Sequence, residues 1–137
     1  MTEHLVLRVI SKLLIPPILL FALYVQMHGD YGPGGGFQAG VIFAAGLVLY
    51  GLVFGTAAVR AVAPPRLLVV IACLGVLLYA GVGVASMIGG GAFLEYGALS
   101  ADATHGNHVG IIIIEIGVGI AVAAVMTIIF SVLAEWR

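Results

Sequence analysis

A chain of 137 residues that is 63% hydrophobic and only 8% charged, with a mean hydropathy of +1.26, has too few polar side chains to clothe a water-soluble core. Its net charge of −1, without any cluster of Lys and Arg, excludes recognition of a phosphate backbone, so no nucleic acid is expected as a partner. One cysteine, Cys73, excludes an intrachain disulfide and reads as a small packing residue inside an apolar run.

Four segments approach the roughly 20 apolar residues needed to cross about 30 Å of hydrocarbon. The first, about Leu5 to Met27, follows Arg8 and Lys12 but is too long for a secretory leader and lacks a small-residue cleavage pattern, so it is expected to stay in the mature chain. Pro16 and Pro17 lie inside it and predict a kink, with carbonyls near Ser11 to Leu13 seeking other donors. The second span, about Phe37 to Val59, carries Gly40, Ala44, Gly51 and Gly55 on a narrow arc, a stripe suited to close helix packing. Pro64 and Pro65 punctuate a short basic turn, and the third span follows from about Leu67 to Ile88, with small residues Gly75, Gly81, Gly83 and Ala85. After a longer acidic loop, the fourth span covers about Val109 to Ala134, with Trp136 as an interfacial anchor.

An even number of spans puts Arg8, Lys12, Arg60, Arg66 and Arg137 on one side, which the positive-inside rule makes cytoplasmic. Asp30, Glu95 and Asp102 then face outward. The predicted fold is an all-α membrane protein, a single four-span bundle over residues 1–137 with both termini cytoplasmic.

The loop between the first two spans contains His28, Gly29, Asp30, Tyr31, Gly32, Pro33, Gly34, Gly35, Gly36, Phe37, Gln38, Ala39 and Gly40. Its glycines permit positive φ and Pro33 sets a sharp bend, so extended backbone can turn tightly at the membrane surface. Such backbone must be buried in protein or line water, because lipid satisfies neither N–H nor C=O. Gly34-x-Gly36-x-x-Ala39 formally matches a dinucleotide fingerprint, but no βαβ unit surrounds it, and no Lys-Ser/Thr follows to make a phosphate loop.

Glu115 is the one acid well inside a predicted span, about six residues or 9 Å beyond Val109. Insertion of a charge near a helix centre costs on the order of 3 kcal/mol, so such a group faces a bundle interior or a hydrated path. A carboxyl that takes up and releases a proton suits relay, or competition between H+ and Na+. Equally, a protonated carboxyl can act as hydrogen-bonding glue between subunits. Asp102, His105 and His108 recur at intervals of three before the fourth span, fitting a proton antenna or a solvated helix start that Asp102 caps. Two His and one carboxylate make a poor metal set, and no metal or cofactor is expected. His28 and Asp30 sit at the outer edge, where they either attract cations and exchange protons or simply solvate the loop.

Pro33 to Gly40, opening a membrane helix, resembles the signature of the MnhB-like subunit family of Mrp-type multisubunit sodium/proton antiporters. The segment Gly110 to Gly119, with Glu115 among isoleucines ahead of Gly117, is similar to that family's second recurrent segment. The resemblance covers essentially the whole chain. It implies a bacterial or archaeal cytoplasmic membrane, a complex that exports Na+ in exchange for H+, and partners of the A, C, D, E, F and G subunit types. Larger subunits would carry the main proton machinery, and this chain would be accessory and ion-path-lining rather than an enzyme. The family also occurs fused to a larger subunit, a form not expected of this chain, and in related membrane-bound hydrogenase complexes. Both that equivalent module and a purely structural subunit stay open as alternatives.

Overall fold

The computed structural model describes residues 4–29, 31–32 and 34–136. They form α1 (Leu5–His28), α2 (Gly36–Phe54), α3 (Thr56–Val62), α4 (Pro65–Ile88) and α5 (Ala103–Glu135), with a 3-10 turn at Tyr96–Leu99 and no strand among the described residues. All but α3 are long and apolar enough to cross a membrane.

Local chemistry sets the helix limits, and two differ from the expected spans. The second span was expected to run on to Val59, yet α2 stops at Phe54 because Gly55 adopts φ +93° and ψ 158°, a conformation essentially reserved for glycine. Gly55 still donates its N–H to the Gly51 carbonyl at 2.9 Å, and the chain restarts as α3, whose Val59 is buried against Gly51. Gly55 therefore ends a helix and takes no part in the expected packing stripe; a Cβ there would meet nothing within 4 Å. The last helix starts at Ala103, six residues before Val109, because Asp102 Oδ1 accepts the Thr104 N–H at 3.0 Å and caps the first turn. At 33 residues and about 1.5 Å each, α5 is near 50 Å long and outreaches the hydrocarbon layer. Pro65, expected in the turn ahead of a span from Leu67, instead occupies the first turn of α4, and α1 continues as one helix through Pro16 and Pro17.

The long helices form a curved row instead of a closed four-helix bundle. α1 packs on α2, α2 on α5 and α5 on α4, while α1 barely reaches α5. Glycines make the two seams along α5. A Cβ at Gly40 would stand 2.6 Å from the Gly119 carbonyl oxygen, one at Gly75 2.6 Å from that of Gly117, and one at Gly117 2.9 Å from that of Gly75. Backbone thus lies directly on backbone. The α4–α5 loop covers one end: the Phe93 ring sits over Gly83, and the Tyr96 ring presses on Gly110.

Three buried hydroxyls inside the helices stay with their own backbone. Ser86, Thr127 and Ser131 donate to the carbonyls of Val82, Ala123 and Thr127 at 2.9, 2.7 and 2.9 Å, so none needs a neighbour. No more than 28% of any span's apolar window is buried, which leaves wide apolar faces for lipid or other proteins. Cys73 lies on one of these exposed faces rather than in packing between helices. Ala85 and Gly81 of the third span are likewise exposed, and only Gly75 and Gly83 take part in packing.

Candidate functional site

The end of the row opposite Arg8, Lys12 and Arg60 holds the glycine loop. Contacts fix which ends go together. Arg8 and Lys12 lie 5.5 and 5.6 Å from the Phe54 ring, joining the start of α1 to the end of α2, and Arg60 pairs with Glu135 at the end of α5. At the other end the Tyr31 ring meets His108 edge-on at 6.3 Å, joining the loop to the first third of α5.

Glu115 is enclosed by this loop. A Cβ on Gly29 would stand 2.8 Å from Oε2 and 2.9 Å from Oε1, and one on Gly35 3.0 Å from Oε1. A Cβ on Gly36 would overlap the Glu115 carbonyl oxygen. Three glycines thus leave the room that the carboxylate and its own peptide fill. Gly34 and Gly35 have φ of +144° and +132°, which lets the chain double back from α1 and enter α2 beside Glu115. The first turn of α2, the positive end of that helix, therefore begins beside Glu115. Glu115 lies five residues, about 7.5 Å, past Gly110, the last α5 glycine beneath the α4–α5 loop, so the glycine loop descends alongside α5 to reach it.

The other expected site residues separate into groups. His28 ends α1, stacks on Tyr24 at 5.3 Å between centroids and presents Nε2 toward Gly32. His108 is half-buried beside Tyr31. Asp102 is the α5 cap, and His105 is exposed on the first turn; both lie some 15 to 20 Å along the helix from Glu115. Asp30 and Pro33 fall outside the described residues. Within the expected motif, Gly34, Gly35 and Gly36 build the cradle, Gly40 and Gly117 make the helix seams, and Phe37 and Gln38 are exposed. No group of three His, Cys, Asp or Glu able to hold a metal occurs among the described residues.

Sequence reasoning named Gly29, Tyr31 and Gly119 only as members of motifs and passed over Gln26. Gln26 reaches from α1 to α5, where its Oε1 occupies the space that any side chain at Gly119 would take, one turn deeper than Glu115. It lines an apolar groove of about 490 Å³. A long amide inside an otherwise apolar span was the signal available.

Four membrane-length helices in an open row, with an acid held among glycine backbones where two of them meet, define a multi-pass α-helical membrane protein. Residues 6–128 match the family described as "Domain related to MnhB subunit of Na+/H+ antiporter", and the chain belongs to that family. Among its relatives, the Na(+)/H(+) antiporter B-type subunit of Bacillus subtilis (strain 168) is 37% identical over 95 residues, 69% of this chain and 66% of the relative. A putative antiporter subunit mnhB2 of Staphylococcus aureus (strain Newman) is 43% identical over 49 residues, 36% of this chain and 35% of the relative. The matched stretches thus span less than two thirds of either relative.

Proposed function

We propose that this chain is an accessory subunit of a multisubunit antiporter that exports Na+ in exchange for H+, and that Glu115 lines its ion path. Membership of the MnhB family and the antiporter-subunit relatives support the first statement. The enclosure of the Glu115 carboxylate by Gly29 and Gly35 carries the second. Side chains at those positions would exclude the acid, whereas glycine peptides offer dipoles and close approach to a small ion or water. Along α5, His108, with the Tyr31 ring at its edge, lies between this carboxylate and the exposed His105, an order of groups suited to passing protons toward the cradle.

Orientation follows from charge. The end carrying Arg8, Lys12, Arg60 and Arg66 faces the cytoplasm and the glycine loop faces outward, in the cytoplasmic membrane of a bacterium or archaeon. Other membrane subunits of the A, C, D, E, F and G types surround the chain. Copurification of antiporter-like subunits supports this assignment, and copurification of iron–sulfur or nickel proteins would assign it to a hydrogenase-type complex instead.

A second reading has its own observation. Gly36 packs against the Glu115 carbonyl, so position 115 also belongs to the α2–α5 seam, and a subunit that only places its partners would need the same contact. Glu115→Gln separates the two. It keeps the shape and the helix seam but cannot exchange a proton or carry charge. Expected is a complex that assembles normally and loses Na+-dependent proton flux in vesicles at least tenfold; normal flux would leave the purely structural subunit.

A further inference from the structure

Gly119 of α5 leaves a space that two oxygens from other helices share. A Cβ there would stand 2.3 Å from Gln26 Oε1, which reaches across from α1, and 3.3 Å from the carbonyl oxygen of Gly36 at the start of α2. Gly36 and Gly119 are both buried, so this point lies inside the junction of α1, α2 and α5. It is also continuous with the cradle. Gly35, the residue before Gly36, borders Glu115 Oε1, and Glu115 lies one helical turn from Gly119 on the same face of α5. The Gln26 amide makes no hydrogen bond with any described residue, which leaves the lone pairs of its oxygen for a ligand.

The chemistry of these oxygens decides what they bind. A carboxylate takes either a proton or a sodium ion, whereas a neutral amide or peptide oxygen coordinates a cation but takes up no proton in the physiological range. Oxygens of this kind replace the hydration shell of an alkali cation, and the Glu115 charge one turn away supplies an attraction that two neutral dipoles lack. The helix seam has no need of the amide, since Gly40 already stands against the Gly119 carbonyl and brings the two backbones together. We propose that Gln26 Oε1 and the Gly36 carbonyl form a cation site adjoining Glu115, and that Gln26 thereby favours Na+ over H+ on the ion path. The proposal rests on Glu115 lining that path, and it adds a residue that acts on only one of the two competing ions.

Flux in vesicles holding the intact complex tests it. Gln26→Leu should raise KM for Na+ about five- to thirty-fold, while maximal flux at saturating Na+ stays within about twofold of the unsubstituted complex. Gly119→Ala should raise KM likewise, because its methyl takes the place of the amide oxygen, the end of a flexible side chain that can swing aside. Gln26→Glu tells a ligand from a packing residue. It keeps an oxygen and adds charge, so KM for Na+ should stay at or below that of the unsubstituted complex, whereas a residue that only packs beside an apolar groove would tolerate Leu better than Glu. An unchanged KM in Gln26→Leu, a KM in Gln26→Glu raised as far as in Gln26→Leu, or loss of complex assembly in Gln26→Leu would each overturn the proposal. Normal flux in Glu115→Gln removes the ion-path reading and this proposal with it; lost flux there, together with an unchanged KM in Gln26→Leu, removes this proposal alone.

Discussion

Gly36 and Gly81 show how differently two glycines of one chain respond to a single added methyl. At Gly36 a Cβ runs into the Glu115 carbonyl, part of a helix that cannot withdraw without opening the α2–α5 seam. Gly36→Ala should therefore cost at least about 1–3 kcal/mol, read as a lower Tm of the purified complex and weaker accumulation in the membrane. Gly81 lies mid-helix, exposed and with nothing within 4 Å, so Gly81→Ala should leave Tm unchanged or raise it slightly. The sequence places Gly36 in the loop motif and Gly81 in the third span, but at neither position does it show what a methyl would meet. What distinguishes them is the neighbour, which spacing cannot supply. Glu115 was legible for the opposite reason: a carboxylate in an apolar run is costly wherever it lies, so its mere presence demands a reason. Which groups receive it was not legible, because Gly29 and Gly35 bear no chemistry of their own and act only through the space they leave.

Among the elements, chain punctuation decides more than propensity does. The α2–α3 break falls at Gly55, whose backbone conformation ends α2 before Thr56 opens α3. Gly55→Ala meets no steric neighbour but forces an L residue into φ +93°, ψ 158°. The strain of about 1–3 kcal/mol should appear as a lower Tm in detergent; an unchanged Tm would mean that α2 runs straight through this point in the variant. Periodicity alone placed Gly55 on a packing stripe, because a 3.6-residue repeat has no way to register that the repeat has stopped. By contrast, Asp102 at the start of α5 acts within one turn of its own position and was readable as a cap, whereas Pro65 was read as part of the turn and instead opens α4.

At the level of the whole molecule, the open row explains why so small a chain exposes so much apolar surface. Its seams bury backbone and small residues, while the large side chains point outward to lipid or to other subunits. Sidedness is open to direct measurement. In a Cys73→Ala background, Ala61→Cys should react with a membrane-impermeant thiol reagent only from the cytoplasmic side, and Ala101→Cys only from the outer side. Reaction of both from one side would remove the four-span topology.

Composition and hydropathy by themselves determined the solvent and the number of long helices, because lipid imposes a length and an apolarity that any ordering of neighbours must respect. The loop and helix motifs added the resemblance to an antiporter subunit family. The open row, the glycine cradle around Glu115 and the reach of Gln26 to Gly119 were decided only in three dimensions. In lipid no hydrophobic drive sorts one apolar helix face from another, so fit between backbones chooses the neighbours, and fit belongs to pairs of surfaces rather than to a string of residues.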